Sequence, residues 1–225
     1  MIATLRLRLM KRRALSAYQE GDFTTAHSLF QRILDAEPGS PGARHNLALT
    51  NIAMGNYEEA ERLLLQELED FGEYYPRLRA LADLYYVGGR REEANAYYRR
   101  CSASDPPEGD VDLLRKRIEL TDDEARYDRV KRAHESFADG NRLMQEQRWD
   151  EAISAFTRAA DFDETNIHAM NNAGSIYLNH KSDPKQAAGF FRRALRWSNM
   201  PWIRRNLLQA EKADGDSTKR TGAKR

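Results

Sequence analysis

The side chains that could bind a metal or attack a substrate are few, and their spacing decides what they could do. Histidine occurs five times, at His27, His45, His134, His168 and His180, and cysteine once, at Cys101. A zinc centre needs three or four such ligands at short, regular separations, and the chain contains neither an HExxH run nor a cysteine pair. One cysteine also rules out an internal disulfide. Cys101 follows Tyr98 by three residues, which reads as small, alanine-like packing rather than a nucleophile. The acidic pairs Glu58-Glu59 and Glu92-Glu93 fall where helices begin, and there they complement the positive end of the helix dipole. No glycine-rich phosphate loop follows a strand pattern. The expectation is therefore no catalytic residue set, no metal and no cofactor, and a protein that is not an enzyme.

The elements that carry these residues repeat. Gly21, Gly55 and Gly89 are spaced 34 residues apart. An alanine follows each glycine by five residues, at Ala26, Ala60 and Ala94, and a larger side chain follows by nine, at Phe30, Leu64 and Tyr98. Pro38 and Pro106 close the first and third units, and Ala14, Ala48 and Ala82 mark equivalent places before the glycines. Glycine ends a first helix where positive φ is cheap, alanine lets a second helix approach closely, and proline stops it. Three helix-turn-helix units follow, over about 7–40, 41–74 and 75–108. A second block, with Gly140, Leu143, Trp149, Ala152, Phe156 and Ala159, then Gly174, Tyr177, Ala187, Phe191 and Ala194, gives two more over about 133–166 and 167–201. The last turn, His180-Lys181-Ser182-Asp183-Pro184, lacks glycine and is one residue longer.

The period, residue types and offsets together resemble the tetratricopeptide repeat family. The resemblance implies an all-α fold, a right-handed α-solenoid of about five repeats plus capping helices. Residues 109–132 carry no repeat signature. Their stripe of Val111, Leu114 and Ile118 suggests a helix capping the third unit, with a hinge between two grooves as the alternative, and Thr121-Asp122-Asp123-Glu124 has the form of a capping box that opens the next helix. The expected organisation is thus 1–120, with three repeats and a cap, then 121–213, with two repeats and a C-terminal capping helix built on Trp202, Ile203, Leu207 and Leu208. Residues 214–225 are expected to be a disordered basic tail.

In this family the first helix of each unit faces the partner, so the resemblance also supplies candidate binding residues. In the first block these include Lys11, Tyr18, His45, Asn46, Arg79 and Tyr86, with Arg8, Arg12, Leu15, Gln19, Leu49, Ile52 and Asp83 beside them. In the second they are His134, Phe137, Asn141, Met144, His168, Asn171, Asn172 and Ser175. His134 and His168 lie one period apart and read as partner-contacting side chains, since two ligands do not make a metal site. A carboxylate clamp, one well-known use of the fold, is incomplete. Lys11 and Asn46 match it, whereas Leu15, Pro76 and Ala80 do not; Asn141 and Asn172 match it in the second block, but Phe137 stands at the lysine position. Paired asparagines suit an extended backbone, because one amide both donates and accepts.

The reading is a protein–protein interaction module, a scaffold, adaptor or co-chaperone-like subunit, that takes an extended peptide or an amphipathic helix as its partner. One alternative is a structural subunit of a larger assembly. Another is membrane or nucleic-acid association through Arg6, Arg8, Lys11, Arg12 and Arg13. A formal net charge of +1 argues against either of those partners, and most of the leucines between the cations, Leu5, Leu7 and Leu9, are expected to pack on the first repeat. With one cysteine and no signal-like or membrane-length apolar run, the expected location is cytoplasmic.

Overall fold

The computed structural model describes residues 2–222, and among them there are twelve α-helices and no strand. Close contacts divide the chain into two units, Met1–Pro106 and Pro107–Arg225.

The first unit is three helix pairs: α1 (Ile2–Glu20) with α2 (Phe23–Ala36), α3 (Pro41–Met54) with α4 (Tyr57–Phe71), and α5 (Tyr75–Val87) with α6 (Arg91–Ala103). Gly21, Gly55 and Gly89 all adopt φ near +80, the left-handed conformation that lets the chain reverse within two or three residues. The repeat alanines Ala14, Ala48 and Ala82 on first helices and Ala26, Ala60 and Ala94 on second helices are all fully buried. Any larger side chain at these six places would push two helix axes apart.

The second unit begins with a 3₁₀ turn, Glu108–Asp110, and α7 (Val111–Asp122). Two pairs follow, α8 (Glu124–Gln145) with α9 (Trp149–Phe162) and α10 (Ile167–Asn179) with α11 (Pro184–Leu195), and α12 (Pro201–Gly222) closes the unit. Here the glycines work by close approach. A Cβ on Gly140 would lie 2.6 Å from the Phe156 ring, and one on Gly174 would lie 2.7 Å from the Phe191 ring. The hairpin turns lack glycine, so Gln147 and Ser182 take up positive φ, at 58° and 52°. Trp149 stacks on His180 with centroids 3.7 Å apart, tying the two turns together.

Four expectations change. Residues 109–120 are expected to cap the third repeat, but α7 belongs to the second unit: Leu113 joins that unit's core, Lys116 pairs with Glu164 at 2.9 Å, and Arg117 donates to the Thr165 carbonyl. Within the apolar stripe Leu114 is buried and Ile118 half-buried as expected, but Val111 is exposed and Leu113 shares the inner side instead. The N-cap of α8 is Asp123, which accepts from the Arg126 N–H, while the Thr121 hydroxyl bonds back to the Arg117 carbonyl inside α7. Finally, α12 continues through residues 214–222, where an unstructured tail is expected. Nothing in that stretch forbids a helix, because it contains no proline and Gly215 costs only about 1 kcal/mol. Residues 223–225 lie outside the described residues.

Candidate peptide-binding faces

In the second unit the expected residues stand on the first helices α8 and α10, and their asparagines form one connected row. The Asn172 amide donates to the Asn141 carbonyl oxygen at 3.3 Å, across the α8–α10 contact. Asn171 reaches the Asn172 oxygen at 3.5 Å, and Asn206 of α12 donates to the Asn171 oxygen at 2.9 Å. All four are half-buried. The row uses one oxygen or one N–H of each amide per bond. Among the described residues, Asn141 Nδ2 and Asn206 Oδ1 at its two ends remain available as donor and acceptor for an added chain.

The neighbouring residues are divided between face and core. Phe137 and Met144 pack against the second unit's core, with the Phe137 ring 5.7 Å from that of Phe156, so each presents only one edge. His168 is exposed and stacks loosely on Trp202 at 5.9 Å, and Ser175 is half-buried. His134 departs from a simple contact role. Burial holds its ring neutral, lowering its pKa to about 4; nearby Asp163 opposes that shift and Arg117 reinforces it. His134 therefore belongs to the joint between α7, α8 and the α9–α10 link.

In the first unit the expected residues scatter. Lys11, Leu15 and Asn46 line a cavity of about 150 Å³ whose floor is Phe30, Ile33 and Ala43. The Lys11 ammonium is 2.7 Å from Glu37, and the Asn46 amide donates to the Gly42 carbonyl. Tyr18 packs edge-on against Phe23, and burial, assisted by Asp83, raises its hydroxyl pKa. Arg79 bonds Asp83 at 2.9 Å and the Tyr75 hydroxyl at 3.3 Å; burial works against its charge, and Asp83 outweighs it, so the guanidinium stays protonated. Tyr86 has no exposed surface and meets Tyr98 edge-on, so it is a core residue and the binding role expected of it is withdrawn. Its ring is large enough to fill the α5–α6 interface, a demand that periodicity alone does not reveal. His45 turns toward Glu67, with Nδ1 3.1 Å from Oε2.

Two residues of note escape the sequence reading. Glu67 is almost fully buried and is held between His45 and Arg77, whose Nε lies 3.0 Å from Oε1. It continues the apolar stripe of Leu63 and Leu64 at helical spacing, and a carboxylate in such a place is a sign of an internal ion pair. Asn206 follows Asn171 by 35 residues, one repeat period plus the residue added in the last turn. Cys101 is fully buried, and burial, with Asp83, pushes its thiol up to about 12, so it stays protonated and inert. Among the described residues no group of three or more potential ligands could hold a metal ion. No described helix is long and apolar enough to cross a membrane.

Two models of the tetratricopeptide repeat match the chain, one over residues 17–80 and the other over 137–201, together more than half of it. The chain belongs to the tetratricopeptide repeat family. This is an interaction fold whose members are generally non-catalytic, and the chain is accordingly a protein-interaction module. No curated protein matches it. Among solved structures it is similar to MamA from AMB-1, at 16% identity and a TM-score of 0.45, with 85% of this chain and 91% of that one covered. It is also similar to YrrB, described as a tetratricopeptide protein with an unusual peptide-binding site, at 18% identity and 0.42, covering 88% of each. A third is the TPR2AB domain of yeast Sti1 in complex with an HSP90 peptide, at 15% and 0.47, covering 96% and 87%.

Proposed function

We propose that the protein is an adaptor that holds an extended peptide segment of a partner along the first-helix face of its second unit. The row Asn141, Asn172, Asn171 and Asn206 carries this reading, because it aligns amides on three helices with donor and acceptor capacity left at its ends. An extended backbone alternates N–H and C=O groups, and asparagine is the side chain that can answer both. Phe137 and Met144 supply an apolar margin for one or two side chains of the peptide. The first-block residues Lys11, Asn46, Tyr18, His45 and Arg79 hold weaker claims, since Lys11, His45 and Arg79 already serve internal partners.

The experiment is to select peptides from a displayed random library on the full chain and measure their affinity for it and for the Asn141→Ala/Asn172→Ala variant. Two to three hydrogen bonds at about 1 kcal/mol each correspond to a loss of roughly 30- to 150-fold. Circular dichroism should show unchanged helicity. Equal affinity for the variant would move the site elsewhere.

A further inference from the structure

The leucines of α1 do not do what their sequence position suggests. Most of them are expected to pack on the first repeat, yet Leu5 is 61% exposed and Leu9 is 51% exposed. The physical reason is length. At 19 residues α1 outruns its 14-residue partner α2 by more than a turn, so its opening turns have no second helix to cover them. From Ala14 onward the inward side is buried, with Ala14 and Ala17 against the unit.

Each residue advances a helix by about 100°, which puts Leu5, Leu9 and Arg12 on one outward strip, Arg8 on one flank and Arg6 and Arg13 on the other. All four arginines are exposed, and among the described residues none of them forms an ion pair; Lys11, turned toward the unit, is the cation that does. No acidic residue occurs before Glu20, so the strip concentrates positive charge in a chain whose total is only +1.

We propose that this outward face of α1 docks in the plane of an anionic lipid surface, with Leu5 and Leu9 entering the acyl boundary and the arginines meeting headgroup phosphates. Exposed leucines set between flanking arginines are the arrangement an interfacial helix uses, since the long guanidinium arms reach up to the headgroups while the apolar strip sinks. Nucleic acid would satisfy the arginines but leave both leucines in water. A second copy paired through the same strip would bring arginines against arginines. The inference does not depend on the asparagine row, which lies in the other unit.

The test is flotation of the full chain with vesicles of phosphatidylcholine, with and without phosphatidylserine, alongside Leu5→Gln/Leu9→Gln and Arg6→Gln/Arg8→Gln/Arg12→Gln/Arg13→Gln variants. Both variants change only exposed positions, and unchanged helicity by circular dichroism verifies their folding. The wild type should float with the phosphatidylserine vesicles and not with phosphatidylcholine alone. Each arginine removed should weaken binding about fivefold, and each leucine about tenfold. Failure of the wild type to float, or full flotation of the leucine variant, would overturn the proposal. So would tight binding to a short DNA duplex that the leucine variant keeps, if vesicle binding is absent.

Discussion

His134 makes the stability of the second unit depend on pH in a way that one substitution should remove. Its ring is neutral in the fold, with a pKa lowered to about 4 from an ordinary 6.5, first by burial and then by Arg117, against the pull of Asp163. The unfolded chain takes up the proton at higher pH than the folded chain does, so protonation favours unfolding. The contribution is complete above about pH 7, is lost progressively as the pH falls from 6.5 through 4, and levels off about one pH unit below that. At pH 5 the loss is about 2 kcal/mol, rising to about 3 kcal/mol at pH 4 for a shift of this size. The assay is favoured by the sequence: all three tryptophans, Trp149, Trp197 and Trp202, are in the second unit, so tryptophan fluorescence reports that unit alone. Urea titrations at pH 7.5 and 5.0 should give the wild type a larger fall in unfolding free energy than His134→Gln by about 2 kcal/mol. Comparing the two proteins cancels the carboxylates that titrate in both. Equal falls, or an NMR titration that places the His134 midpoint near 6.5, would refute the reasoning.

Glu67→Ala leaves Arg77 half-buried without its carboxylate and should destabilise the first unit by about 3 kcal/mol, read by scanning calorimetry; Glu67→Gln, which keeps the shape, should cost less. Gly174→Ala should destabilise the second unit by about 1–2 kcal/mol despite alanine's better helix propensity, because its Cβ would stand 2.7 Å from the packed Phe191 ring; urea titration on tryptophan fluorescence measures it. Gln147→Gly should stabilise the same unit by roughly 0.5–1 kcal/mol in that assay, as it relieves a positive φ at a helix turn.

The repeat was legible because its marks are steric necessities. Positive φ at Gly21, Gly55 and Gly89 and full burial of Ala26, Ala60 and Ala94 are conditions for reversing the chain and bringing two helices together, and few residues meet them. Which neighbour receives an apolar face was not legible. Periodicity shows that residues 111–120 form a helix with an inner side, but the pairing that assigns it to the second unit rests on Leu113, Lys116 and Arg117, whose partners lie about fifty residues away. The same gap explains Tyr86 and the α1 leucines. Spacing places each on a face, and only the length and position of the opposing helix determine whether that face is covered. In the candidate site, Asn141 and Asn172 were legible through the repeat period. Asn206 was hidden by the one-residue insertion that moves it out of register, and His134 by packing against residues remote in sequence.

The central claim is that a partner segment lies along the asparagine row, and the side-chain amide signals of that row test it most directly. On titration with a library-selected peptide, the Nδ2 resonances of Asn141, Asn171, Asn172 and Asn206 should shift together and saturate at one stoichiometric ratio, while that of Asn46 in the first unit stays in place. Shifts confined to the first unit, or a row that remains unmoved at saturation, would contradict the account.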